Sequence, residues 1–269
     1  MNRVRCVAFA VTVLALVLGQ GTLFAQNGRG PRQRRAEMKE KIDDDAKLTK
    51  KLERYLSDQG FGKLEWKEYT VNPEAKGEPS MLVIFGGQKS AKRPGPDNKP
   101  ITPVALERAV NYAKSTKGKT IILVPQLVVE RKMPGGREMA AVAGISQLVR
   151  ERATAKGVKP NRVFATGFSM GGHVLWTLLD TDPALFSRAL VVGSSGDLEK
   201  AGHIKADVRV LHGAEDTSVE LAKVQAFVSA VNSKRPNTAA LTVLKGKDHS
   251  SSEESAYSSS EQWRWLLKP

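Results

Sequence analysis

Six short runs of apolar residues, at 81–85, 120–124, 162–166, 189–192, 208–211 and 241–244, constrain this chain more than any other feature. Within them apolar character is nearly continuous. A half-exposed strand alternates apolar with polar residues, so continuous runs of this length mark strands buried on both faces. Helical stretches separate them at about 102–114, 137–156, 174–180 and 219–232, and a last one covers 258–267. Parallel strands need a crossover between them, and a helix supplies it. The expected fold class is therefore α/β, with a mostly parallel central sheet and helices on both faces. An earlier segment, 64–71, alternates and reads as a half-exposed strand at a sheet edge. Two connections, 88–100 and 125–136, are long and irregular. Both follow strands at their carboxyl ends, where open α/β sheets bind ligands, so they are candidate walls of a cleft.

One junction carries chemistry. Gly167-Phe168-Ser169-Met170-Gly171 is a G-x-S-x-G sequence placed between an apolar run and a helical pattern. On a sharp strand-to-helix turn a serine hydroxyl is pushed clear of the backbone, and glycines two positions to either side leave room for the neighbouring strand and helix. The helix N-terminus behind it favours negative charge developing there. Ser169 stands where a dinucleotide-binding loop wants its second glycine, which argues against a pyrophosphate site.

An activated serine needs a base, and the base needs an acid to hold its tautomer. Leu211-His-Gly-Ala-Glu-Asp216 follows one later apolar run and Lys245-Gly-Lys-Asp-His249 the next. Asp216 and His249 thus fall on loops at the same sheet edge as Ser169. Glu215 and Asp248 diverge from these neighbours and read as solvated charges. His212 reads as a packed structural residue, His173 as a structural residue at the start of the helix, and His203 as a loop residue without a ligand partner. No H-x-x-x-H spacing or carboxylate cluster accompanies the histidines, so neither a metal nor another cofactor is expected. The serine-rich stretch 250–260 reads as a polar loop, with Trp263 and Trp265 packing the helix that follows.

The motifs resemble those of an α/β-hydrolase group, the bacterial esterases and "predicted peptidases" related to secreted polyhydroxybutyrate depolymerases and feruloyl esterases. Gly167-Phe-Ser-Met-Gly-Gly-His-Val-Leu-Trp176 is similar to the group's G-x-S-M-G-G-x-x-x-W, and Asp182-Pro-Ala-Leu-Phe186 to its P-x-x-F segment. His212-Gly-Ala-Glu-Asp-Thr-Ser-Val219 resembles H-G-x-x-D-x-x-V, and Gly246-Lys-Asp-His249 resembles G-x-x-H. The likeness runs from about 81 to 267. It implies Ser169 as nucleophile, Asp216 as acid, His249 as base, and the backbone N–H groups of Met170 and Gln88 as an oxyanion hole. In Phe85-Gly86-Gly87-Gln88 the sequence departs from the group, with Gly86 where a histidine is usual. The implied reaction is hydrolysis of a small-molecule or polymeric carboxylic ester without a cofactor. Two readings stand beside it. One is peptide hydrolysis by the same residues. The other is a non-catalytic, surface-associated binding protein on a decayed hydrolase, which the altered loop favours and the Ser-Asp-His order opposes.

The amino-terminal segment reads separately. Arg3 and Arg5, an apolar stretch at 7–18 and Leu23-Phe24-Ala25 have the pattern of a signal peptide over 1–25, too short to span a bilayer comfortably. Export to the periplasm or exterior is expected. Cys6, the one cysteine, would leave with that segment, and disulfides and thiol chemistry with it. Residues 26–60 read as a basic flexible leader followed by an amphipathic helix, and 61–269 as the α/β-hydrolase domain, long enough for a full core. The net charge of +14 is concentrated partly in the leader, which reads as a solvated tether or as an arm touching anionic surfaces. Nucleic acid is not an expected partner, because no zinc knuckle, helix-turn-helix pattern or aromatic strip accompanies the charge.

Overall fold

The computed structural model describes residues 66–91, 102–126 and 136–268. The expected signal peptide, basic leader and amphipathic helix lie outside these residues, as do most of the two irregular connections.

The six apolar runs form β2 (Ser80–Phe85), β3 (Thr120–Pro125), β4 (Val163–Phe168), β5 (Arg188–Val192), β6 (Asp207–Gly213) and β7 (Ala239–Leu244), preceded by β1 (Trp66–Val71). They make a seven-stranded sheet of order β1-β3-β2-β4-β5-β6-β7. Only β1 runs antiparallel to its neighbour; the other pairs are parallel. The helices are α1 (Val104–Ser115), α2 (Gly136–Ala155), α3 (Met170–Thr181), α4 (Leu221–Lys234), α5 (His249–Ser258) and α6 (Ser260–Leu266). None of the described helices is long and apolar enough to cross a membrane.

Alternate residues of each central strand enter different cores. Met81, Val83 and Phe85 join the side chains of α2, α3 and α4, while Leu82 and Ile84 join those of α1, α5 and α6. That division explains the continuous apolar runs of β2 to β6, because both faces of the pleat are covered there. The run at 241–244, expected to be buried on both faces, is corrected: β7 is the other edge strand and is mostly exposed, with Val243 at 41%. Each fully buried aliphatic side chain contributes about 1.5–3 kcal/mol, so a polar residue on either face would be costly.

Two further expectations are corrected. The first concerns β1, which is an edge strand but is largely buried: Trp66, Glu68, Tyr69 and Val71 are all covered. Its Glu68 carboxylate receives hydrogen bonds from Arg152 Nε (2.6 Å) and Nη2 (2.8 Å) on α2, and Lys156 Nζ lies 3.0 Å away. Burial alone would raise the Glu68 pKa, but the Arg152 and Lys156 partners outweigh it and hold the carboxyl below its ordinary value. The polar position in the alternating pattern thus faces a cationic pair instead of water.

The second of these corrections concerns 250–260, read as a polar loop, where the structure has helix α5 over His249–Ser258 and the start of α6 at Ser260. Serine is a modest helix former, but here it caps. The Asp248 side chain accepts from the Ser251 N–H (2.7 Å), and Ser251 Oγ accepts from the Asp248 N–H (2.9 Å), a reciprocal capping box. Asp248 is therefore an N-cap and more than a solvated charge; the Ser251 hydroxyl and backbone N–H hold its carboxyl below its ordinary value. Ser252, Ala256 and Tyr257 turn inward. Thr166 Oγ1 donates to Leu190 O (2.8 Å), so Tyr257 Oη, 3.0 Å from Thr166 Oγ1, is the donor between the two hydroxyls. Burial pushes the Tyr257 phenol far up, which keeps it a neutral donor.

Candidate active site

The strand-to-helix turn between β4 and α3 holds Ser169 at φ 54°, ψ −118°. A non-glycine residue there is strained, and the surroundings over-determine it. The Ser169 N–H donates to Val192 O at the end of β5 (2.9 Å), and its carbonyl accepts from His173 N–H in the first turn of α3 (3.0 Å). A Cβ on Gly167 would collide with the Gly171 carbonyl, and one on Gly171 with the Phe85 carbonyl. Glycine at both positions lets α3 start directly against the end of β2.

The same approach brings the loop after β2 beside the helix N-terminus. Among the described residues, neither the Met170 N–H nor the Gln88 N–H has a backbone or side-chain acceptor. Gln88 begins a short 3-10 turn, Gln88–Ser90. That turn is held by Ser90 N–H to Gly87 O (2.8 Å) and by Gln126 Nε2 to Ser90 O (2.8 Å).

His249 and Asp216 reach the turn from loops after β7 and β6. His249 Nε2 is 2.8 Å from Ser169 Oγ, and its Nδ1 is 2.7 Å from Asp216 Oδ2. Asp216 Oδ1 accepts the N–H groups of Ser218 (2.8 Å) and Val219 (2.9 Å). A carboxylate only accepts, so the His249 proton sits on Nδ1, and Nε2 turns a lone pair toward the serine hydroxyl. The Asp216 side chain is wholly buried, whereas that of His249 keeps 19% of its surface. A hydroxyl, an imidazole and a buried carboxylate linked in this order can move a proton off the hydroxyl while balancing the charge left on the imidazole.

The two loops are tied to each other through the backbone. Ala214 N–H donates to Leu244 O (3.0 Å) and Glu215 N–H to Lys247 O (2.9 Å). These bonds fix Asp216 relative to His249 while the Glu215 side chain stays exposed. His249 opens α5, so the capping box of Asp248 also sets its backbone.

The remaining histidines are placed differently from one another. His212 is buried in β6 with Nε2 2.9 Å from Val219 O, and His173 is exposed on α3. His203 ends a 3-10 segment, Leu198–His203, and has a carboxylate partner, Asp180, at 2.6 Å. Among the described residues no group of three His, Cys, Asp or Glu is arranged to hold a metal ion.

Two contacts around His249 escaped the sequence reading. The Phe168 ring lies 4.8 Å from the imidazole, centroid to centroid, tilted by 36°. Gly193, at φ 58°, follows β5, and a Cβ there would stand 3.3 Å from His249 Cε1. A glycine immediately after a buried strand was the available signal for the second; the variable position of G-x-S-x-G carried none for the first.

Solved structures share this architecture. A thermostable esterase is 21% identical with a TM-score of 0.64, the match covering 84% of this chain and 64% of that one. Thermogutta terrifontis esterase 2, phosphorylated by paraoxon, is 18% identical with a TM-score of 0.54, covering 76% and 83%. Porphyromonas gingivalis dipeptidyl peptidase 4 is 14% identical with a TM-score of 0.55, covering 76% and 33%. The chain thus spans less than two thirds of the esterase matched first and a third of the peptidase, and likeness at these identities establishes the fold alone. No curated protein sequence matches the chain. Residues 126–264, just over half of it and including Ser169, Asp216 and His249, match the model of the dienelactone hydrolase family. The chain has the α/β-hydrolase fold and belongs to the dienelactone hydrolase family.

Proposed function

We propose that the protein is a serine hydrolase that cleaves carboxylic esters through an acyl-enzyme. The observation that carries this reading is the hydrogen-bonded path from Ser169, on its strained turn, through His249 to the buried carboxylate of Asp216. Ser169 Oγ attacks the acyl carbon as its proton passes to His249 Nε2. The carbonyl π pair moves onto oxygen, and the N–H groups of Met170 and Gln88 receive that oxyanion. Collapse of the tetrahedral species expels the alcohol, protonated by His249. A water then attacks the acyl-enzyme, giving its proton to His249, and the second collapse releases the acid and returns the proton to Ser169. Asp216 stays ionised throughout, holding the tautomer and stabilising the imidazolium.

A fluorophosphonate probe tests the reading. It should label the protein once, at Ser169, and Ser169→Ala should abolish labelling without changing the melting temperature. Acyl esters of graded chain length, aryl esters and short peptides then separate substrate classes, with ester turnover expected to exceed peptide turnover. Folded protein that resists the probe would overturn the proposal in favour of a non-catalytic binding role. A labelled protein that turns over peptides faster than esters would overturn the ester assignment alone.

A further inference from the structure

A second imidazole lies against the Asp216 carboxylate and takes no part in the steps above. His212, the penultimate residue of β6, is completely buried. Its Nε2 is 2.9 Å from Val219 O and 3.5 Å from Asp216 Oδ2. A carbonyl oxygen only accepts, so Nε2 carries a proton that it donates to Val219 O, with the Asp216 oxygen 3.5 Å from the same nitrogen, at the outer limit of hydrogen-bond distance. The other ring nitrogen, Nδ1, is buried without a partner. An unsatisfied buried polar atom is destabilising, and a leucine or phenylalanine would fill this space without one. The compensating gain therefore has to come through the Nε2 side.

We infer that His212 is a positioning residue for the acid: its Nε2–H closes the 216–219 turn through Val219 O and lends a second, longer donation to the Asp216 oxygen that pairs with His249. The inference rests on the proposed roles of Asp216 and His249. Val219 links the two functions, because its N–H donates to Asp216 Oδ1 while its carbonyl receives from His212. The carboxylate is then held on both oxygens, with its charge spread over two backbone N–H groups and two imidazoles. A partly neutralised carboxylate attracts a proton to His249 less strongly than a bare one would. Removing the His212 donor should accordingly make His249 easier to protonate.

The experiment measures kcat and kcat/KM against pH on an activated aryl ester for wild type, His212→Leu and His212→Gln. Leucine leaves no donor, while the amide of glutamine reaches the position of Nε2. For His212→Leu we expect kcat to fall about tenfold, a charge-assisted hydrogen bond discounted for its length, with KM nearly unchanged. The acid limb of kcat/KM should move up by about half a pH unit. His212→Gln should restore the limb. Ionisable groups on the surrounding elements include Glu215, Lys247, Asp248, His173 and Asp180 on α3, Lys223 and Lys234 on α4, Glu253, Glu254 and Tyr257 on α5, and Asp207 and Arg209 on β6; all are common to the three proteins, so a difference belongs to His212.

A purely structural role predicts the opposite sign. A loosened turn would let Asp216 withdraw, and the limb would stay or move down; either result overturns the inference, as does failure of glutamine to restore the limb. Should the leucine variant not fold, ¹⁵N NMR of the wild type decides: a proton on His212 Nε2 across the active pH range supports the inference, and protonation at Nδ1 alone overturns it. Wild-type protein unlabelled by the fluorophosphonate would defeat the proposed reaction and this inference together. Labelling with an unmoved limb defeats the role of His212 only.

Discussion

Replacing Asp216 with asparagine tests the proposed reaction at the point where the geometry leaves least room for adjustment. The carboxylate makes three close contacts, and all its partners are donors: Ser218 and Val219 N–H on Oδ1, and His249 Nδ1–H on Oδ2. An asparagine that keeps its carbonyl toward the two backbone groups turns its NH₂ toward His249. Two donors then face each other, and His249 relieves the conflict only by shifting its proton to Nε2. That tautomer presents an N–H to Ser169 and cannot take the hydroxyl proton. Flipping the amide does not help, since the NH₂ would then oppose two backbone donors instead of one. In the serine-protease template the wrong tautomer costs about 10⁴ in turnover. We expect kcat for Asp216→Asn to fall by roughly 10³–10⁴-fold on an activated aryl ester, with KM little changed. Glu215→Gln, at an exposed neighbour, should stay within about threefold, as expected of a solvated charge. Pre-steady-state release of the aryl alcohol separates acylation from later steps. A folded Asp216→Asn enzyme within threefold of wild type would refute the reasoning, as would greater damage from Glu215→Gln.

Two further outcomes follow from the ends of the sheet. Asp248→Ala removes the reciprocal cap of α5 and should lower the midpoint of urea unfolding, while Asp248→Asn, which keeps an acceptor, should retain most of the stability; equal losses would deny the cap. Glu68 has a lowered folded pKa, so its pairing stabilises the protein above the ordinary carboxylate pKa, and that contribution is lost as pH falls through the depressed value. Glu68→Gln should therefore cost roughly 1–3 kcal/mol at pH 7, the buried-pair value discounted for partial exposure of the cations, and progressively less on acidification. A gap between the two proteins that does not shrink as the pH falls well below the ordinary carboxylate range would argue against the ion pair as its source.

The sheet and the order of its strands' loops were legible because burial on both faces leaves a signal within each strand from β2 to β6, read one residue at a time. Ser169, Asp216 and His249 could be found because each closes a motif behind one of those strands. Other features depend on side chains that meet from far apart in sequence. Nothing near Glu68 foretells Arg152 and Lys156, which arrive 84 and 88 positions later and turn an exposed-looking position into a buried one. Helix α5 failed for a different reason: its composition suggests a loop, while its cap and the buried Tyr257 decide otherwise. Intrinsic propensity is a weak prior there, and the tertiary contact to Thr166 overrides it. His212 was legible as a packed residue, but its 3.5 Å approach to Asp216 needs the turn between them to be known.

The loop Phe85-Gly86-Gly87-Gln88 shows how a missing side chain can be replaced by a contact from another strand end. With Gly86 where the resembling group has histidine, the imidazole's hydrogen bonds are absent, and the backbone of this loop needs other anchors if Gln88 N–H is to face an oxyanion. Two are present. The loop closes on itself through Ser90 N–H to Gly87 O, and Gln126, the residue after β3, donates its side-chain amide to Ser90 O. The strand order explains why Gln126 can do this: β3 lies beside β2 in parallel, so both loops leave the sheet at the same edge. Ser90 also occupies the space a side chain at 86 would need, since a Cβ on Gly86 would stand 2.9 Å from Ser90 Oγ. Glycine at 86 and the inward turn at Ser90 are therefore two halves of one arrangement. A histidine introduced alone at 86 would displace the turn that now holds Gln88. The departure from the group's pattern is thus coupled to the residues around it, and the backbone donor it bears on belongs to a loop anchored at both Gly87 and Ser90.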